Sequence, residues 1–135
     1  HRYVGDAVIV TWRSQETKVC DASLTCAQDM HRALEDAAAG YIADFGSAPQ
    51  LRIAIHCGPL AAGEIGDWKK EIALLGDTMN TTARIEHAAG EFGAKIAVSS
   101  DFADLLSEPV RANLVALPGY AANGKSERLA LFGIK

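Results

Sequence analysis

The sequence predicts an α+β fold: a mostly antiparallel sheet flanked by helices. Three observations carry that prediction. Apolar residues recur every three or four positions over about thirty residues, which is the period of an amphipathic helix. Elsewhere the apolar residues fall in short runs separated by Gly-containing turns, which is the pattern of strands joined by hairpins. Strands joined in that way and mixed with helices argue for antiparallel pairing within an α+β domain. The chain has 135 residues, 49% of them apolar, so one domain with a real core is expected.

Taken in order, Tyr3-Val4 can end a strand and Gly5-Asp6 make a hairpin turn. The run 7–12 then reads as a buried strand. A long helix follows over 16–45, with Val19, Ala22, Cys26, Met30, Leu34, Ala38, Tyr41 and Phe45 as its apolar stripe. Gly46-Ser47-Ala48-Pro49 stops it. Strands are predicted at 51–55, 60–65 and 71–75, with turns at Gly58-Pro59 and Gly66-Asp67. After Gly76, Asp77 or Thr78 can cap a helix that runs to about Ala89. A short strand at 96–99, a short helix at 100–106 and strands at 115–117 and 129–132 complete the domain, with a polar loop at 119–126.

Composition excludes several function classes. A net charge of −4 offers no nucleic-acid surface, so no nucleic-acid partner is expected. Cys20, Cys26 and Cys57 are odd in number and lack metal-ligand spacing, which argues for reduced thiols in a cytoplasmic protein. No apolar run reaches the ~18–20 residues of a membrane helix, so this segment is expected to make no direct membrane contact. No signal peptide, repeat or low-complexity tract is visible.

The most informative stretch is LGDTMNTTARIEH. Asn80 and Arg84 are four residues apart on its helix and project from one face. An amide beside a guanidinium suits a sugar oxygen and a phosphoryl group, although such a pair is more commonly a solvated helix face. Asp6, at a hairpin tip, is ordinary turn chemistry that also offers a reachable carboxylate to a metal ion. His56 reads as a hydrogen-bonded structural histidine and Trp68 as a packing residue beside a turn. Lys69 and Lys70 read as surface charge.

Three segments in order, RYVGDAVIVTW, RIAIHCGPLAAGEIG and KKEIALLGDTMNTTARIEHA, resemble the class III nucleotidyl cyclases, the adenylate and guanylate cyclase catalytic domain. They cover most of residues 1–90. The remainder, IAVSSDFADLL and LPGYAANGKSERLALFGI, fits that family's closing strand, helix and hairpin. The diguanylate cyclases have a similar hairpin, but carry GGDEF where this chain has VGDAV.

The resemblance implies a nucleotidyl cyclase domain of ferredoxin-like, palm-type architecture over 1–135, lacking its N-terminal strand and helices. It implies conversion of ATP to 3′,5′-cyclic AMP and pyrophosphate, with Mg²⁺ or Mn²⁺ as cofactor and two ions in the complete domain. Asp6 matches a metal carboxylate whose partner lies upstream of His1. Asn80 matches the residue that orients the ribose, and Arg84 the one that stabilises charge on the α-phosphate. The family's site forms across a homodimer, with metal carboxylates from one subunit and the Asn and Arg from the other. Base-contacting positions fall on Arg2 and Ala73. Arg2 can only donate, which suits N1 of adenine and not the N1–H of guanine. The family's phosphate-binding Lys falls at Pro118. Lys125 can substitute for it, although a solvated loop lysine is the commoner reading. A non-catalytic cyclase homology domain with a nucleotide-binding or regulatory role is the main alternative, and guanylate cyclase activity the second.

Overall fold

Among the described residues one four-stranded sheet, three two-stranded sheets and four helices alternate along the chain, and the buried side chains sort onto the two faces of the four-stranded sheet. The computed structural model describes the backbone of residues 2–13, 15–65, 71–118, 120–121 and 128–134. Side chains of residues 2–4, 62, 65, 71–75, 120–121 and 128–129 lie outside that description.

Strands β1 (Arg2–Val4) and β2 (Ala7–Ile9) form a tight hairpin with Val4 opposite Ala7. Gly5 has φ 61° at the first central position of the turn, the conformation glycine takes without strain. The buried strand expected over 7–12 is a different object. It ends at Ile9, and Val8, Val10 and Trp12 are 49%, 48% and 45% exposed. Among the described residues β1 and β2 pair only with each other, so nothing covers that apolar run.

Helix α1 (Thr17–Phe45) ends as expected, with Gly46 left-handed at φ 80° and its N–H bonded to Ile42 O. Its buried face is Cys20, Ser23, Leu24, Ala27 and His31, not the stripe read from the sequence. Met30, Tyr41 and Phe45 of that stripe are exposed, Phe45 by 75%. The helix carries apolar residues on two adjacent faces, and the one with smaller side chains lies against the sheet. His31 Nε2 is 3.2 Å from Lys95 O, and Ser107 N–H donates to Asp21 Oδ1 at 3.0 Å.

The central sheet has the order β3 (Ile53–Ile55), β6 (Ile96–Ser99), β10 (Leu131–Ile134) and β7 (Leu114–Ala116). β3 runs parallel to β6, while β10 is antiparallel to both β6 and β7. Strand alternation then divides the core in two. Ile53, Ile55, Ile96, Val98, Phe132 and Ile134 meet Cys20, Leu24 and Ala27 of α1 and Phe102 of α3 (Ser100–Ala103). Ala54, Ala97 and Leu131 lie on the opposite face with Ile85, Ala88 and Ala89 of helix α2 (Asp77–Glu91). On that second face Ile85 and Leu131 are the large buried side chains, set among Ala54, Ala88, Ala89 and Ala97. The result is a mixed sheet between helices, the expected α+β class, with antiparallel pairing predominant.

Several sequence boundaries shift, most by a residue or two at strand ends. The strand expected at 129–132 is two strands, β9 (Arg128–Leu129) and β10, which change partner at Ala130, whose carbonyl accepts from Ser100 N. β9 pairs with β8 (Tyr120–Ala121), inside the stretch read as a polar loop. The short helix ends at Ala103 rather than Leu106. A helical turn, α4 (Glu108–Arg111), was not foreseen; Pro109 opens it and Asn113 Nδ2 donates back to Pro109 O.

Candidate active site

Hairpin β4 (Ala61–Ile65) and β5 (Glu71–Leu75) delivers the chain to α2, with Gly63 opposite Ala73. Gly76 makes the corner at φ 139°, a conformation that L side chains rarely adopt. It is the N-cap, and no side chain caps the helix, contrary to the expectation for Asp77 or Thr78. Asp77 instead occupies the first turn, where its charge suits the helix dipole. The Thr78 hydroxyl is committed elsewhere, donating to Pro59 O at 2.6 Å.

With Thr81, Ile85, Ala88 and Ala89 buried, the flank of α2 carries Asp77, Asn80, Arg84, His87 and Glu91 one turn apart. Asn80 is exposed and Arg84 half-buried. Among the described residues no hydrogen bond or ion pair engages either side chain, while their neighbours are tied down. Arg52 Nε donates to Glu86 Oε1 at 2.9 Å, and its guanidinium lies where a β-carbon on Gly90 would stand. His87 Nε2 is 3.7 Å from Glu91 Oε1. An amide and a cation are thus presented together on a braced helix, as the spacing suggested.

His56 follows β3 at the register position beside Ser99, and its Nδ1 is 2.8 Å from Ser99 Oγ. Ser99 Oγ also accepts from Phe102 N at 3.2 Å, capping α3. Burial pushes the His56 pKa below its usual value, with Asp101 and Asp77 opposing. This is the structural histidine the sequence suggested. The Cys57 and Cys20 thiols are pushed up, in both cases by burial first, so both are poor nucleophiles at neutral pH.

Asp6 stands exposed at the β1–β2 turn, and Arg2 lies on the same hairpin opposite Ile9. Among the described residues no hydrogen bond or ion pair links Asp6 to Asn80 or Arg84, and no cluster of three His, Cys, Asp or Glu side chains could hold a metal ion. Asp6 supplies one exposed carboxylate, a hard oxygen donor that fits part of a Mg²⁺ or Mn²⁺ ligand set. The side chains of Arg2 and Ala73 lie outside the described set, and so do Trp68, Lys69, Lys70 and Lys125 altogether. Pro118 is exposed just beyond β7. Sequence reasoning missed the seating of the helix on Gly58, Pro59 and Thr78. No spacing rule joins positions so far apart in the chain.

A sequence model of the adenylate and guanylate cyclase catalytic domain matches residues 2–130. The chain belongs to that family. Adenylate cyclase 2 of Rhizobium meliloti (strain 1021) is 33% identical over 132 residues, covering 98% of this chain and 36% of the relative. The chain therefore spans about a third of that relative's length. Atrial natriuretic peptide receptor 2 of Homo sapiens is 44% identical over 59 residues, 44% of this chain and 5% of the receptor. Among solved structures, a bacterial light-regulated adenylyl cyclase overlaps 58% of this chain and 22% of its own, at 19% identity and a TM-score of 0.47. In this cyclase domain no helix among the described residues is long and apolar enough to cross a membrane.

Proposed function

We propose that this domain is the catalytic domain of an adenylate cyclase, converting ATP to 3′,5′-cyclic AMP and pyrophosphate. The observation that carries the reading is the pair Asn80 and Arg84, presented without partners among the described residues from the braced helix of the family's motif. Similarity to an adenylate cyclase along 98% of the chain supports ATP as the nucleotide. Arg2 supports it too, because its donors match adenine N1 and clash with guanine N1–H.

In this reading the Asn80 amide holds the ribose so that its 3′ oxygen faces the α-phosphorus. That oxygen forms the new P–O bond, its proton is lost, and the bond to the β-phosphate oxygen breaks to release pyrophosphate. Arg84 gains strength as negative charge shifts on the α-phosphoryl oxygens. Asp6 would ligate Mg²⁺ or Mn²⁺, and two such ions would neutralise phosphate charge. Lys125 is retained as a candidate triphosphate contact.

The two halves of the site share no hydrogen bond or ion pair within one described chain. In this reading the site is shared across a homodimer, with Asp6 of one copy facing Asn80 and Arg84 of the other. Incubating the full-length protein separately with ATP and GTP in Mg²⁺ or Mn²⁺ tests the reading. Cyclic AMP should dominate. Preference for GTP would overturn the base assignment, and no product from either would favour a non-catalytic cyclase homology domain.

A further inference from the structure

The loop 56–60 between β3 and β4 is stitched to two elements at once. On one side His56 meets Ser99 at the end of β6. On the other, Pro59 O receives the Thr78 hydroxyl at 2.6 Å. A β-carbon on Gly58 would stand 2.5 Å from Thr78 Oγ1 and 3.3 Å from its methyl carbon, so a side chain at position 58 would force the Thr78 side chain or the loop to shift. A β-carbon on Gly76 would lie 3.5 Å from Pro59 O, so the corner that opens α2 is also made against this loop. Within the helix, Thr82 Oγ1 donates to Thr78 O at 2.7 Å. These contacts converge on the first turn of α2, two residues before Asn80.

We propose that Thr78 is a positioning residue, its hydroxyl clasped between Gly58 and the Pro59 carbonyl so that the entry of α2 is fixed and Asn80 is aimed at the nucleotide sugar. The proposal rests on the cyclase reading above. Pro59 is exposed, so water can replace the hydroxyl when the clasp is lost. Thr78→Val keeps the shape and removes only the donor. The fold should then survive while the helix entry loosens, and small misplacements of a positioning group cost rate far more than stability.

The test is a double-mutant cycle in the full-length protein, reading cyclic AMP formation from ATP for the wild type, Thr78→Val, Asn80→Ala and the double variant. Thr78→Val should lower kcat about tenfold or more with KM and melting midpoint little changed. Thr78→Ser, which restores the donor, should recover most of that loss. In the Asn80→Ala background Thr78→Val should cost less than about twofold, since Asn80, the side chain nearest the clasp and the one it aims, is gone. Equal losses with and without Asn80, or no recovery in Thr78→Ser, would overturn the proposal and leave Thr78 a merely structural residue. A wild-type protein that forms no cyclic nucleotide would instead defeat the cyclase reading. Amide hydrogen exchange over residues 80–84 then decides the clasp by itself: faster exchange in Thr78→Val supports it, and unchanged exchange overturns it.

Discussion

Burial holds the His56 pKa below its usual value. The ring is half-buried beside Ser99, and its desolvation outweighs the weaker pull of Asp101 and Asp77. The unfolded chain takes up this proton near the usual value of 6.5, whereas the folded protein resists until the pH is lower. Between those two points the unfolded state binds more protons. Stability should therefore fall as the pH drops below 6.5, and this contribution levels off beneath the depressed value. Thermal melts of wild type and His56→Asn from about pH 7 to 5 read the difference. The asparagine can keep a polar contact with Ser99 but does not titrate, so its stability should decline less steeply. An identical pH dependence would mean that His56 contributes none of it. At this scale the sequence was legible for His56, because a polar ring following a strand of the sheet needs a partner. It was not legible for Thr78, whose type suggested a cap. The corner at Gly76 and the nearby Pro59 carbonyl claimed its hydroxyl instead.

Helix α2 is the element on which the proposed chemistry rests. Its inner face of Thr81, Ile85, Ala88 and Ala89 is seated on the sheet, and Arg52 braces it through Glu86. Arg84 lies beside that buried face, half-buried and without a partner among the described residues. Arg84→Ala should consequently leave the fold intact and lower kcat by roughly 10²-fold or more, with a much smaller effect on ATP binding. Steady-state kinetics paired with equilibrium nucleotide binding separate the two. A loss confined to binding would show that Arg84 holds the ground state and not the transferring phosphoryl group. The motif helix was readable because polar and apolar positions separate cleanly at its period. α1 was readable in extent but not in orientation. Two adjacent apolar faces satisfy the same period, and only the sheet decides which one is covered.

Across the whole molecule, alternation within β3, β6 and β10 divides the core between the α1 face and the α2 face. The strands themselves were visible as short apolar runs. Their partners were not, because β3 pairs in parallel with β6 across the whole β4–β5–α2 excursion. Strand β2 departs from its reading for a related reason: an apolar run specifies that something can cover it, yet Val8, Val10 and Trp12 stand exposed among the described residues. The β1–β2 hairpin carries Asp6, and among the described residues no hydrogen bond or ion pair joins Asp6 to Arg84. In the proposed function these two residues act at one site shared between two copies of the chain. Complementation of the full-length protein tests it most directly. Asp6→Asn and Arg84→Ala should each be inactive alone. Mixed in equal amounts, they should form heterodimers with one site intact and one doubly impaired, recovering about a quarter of wild-type activity under random pairing. No recovery, with heterodimers shown to form, would contradict a site shared between subunits.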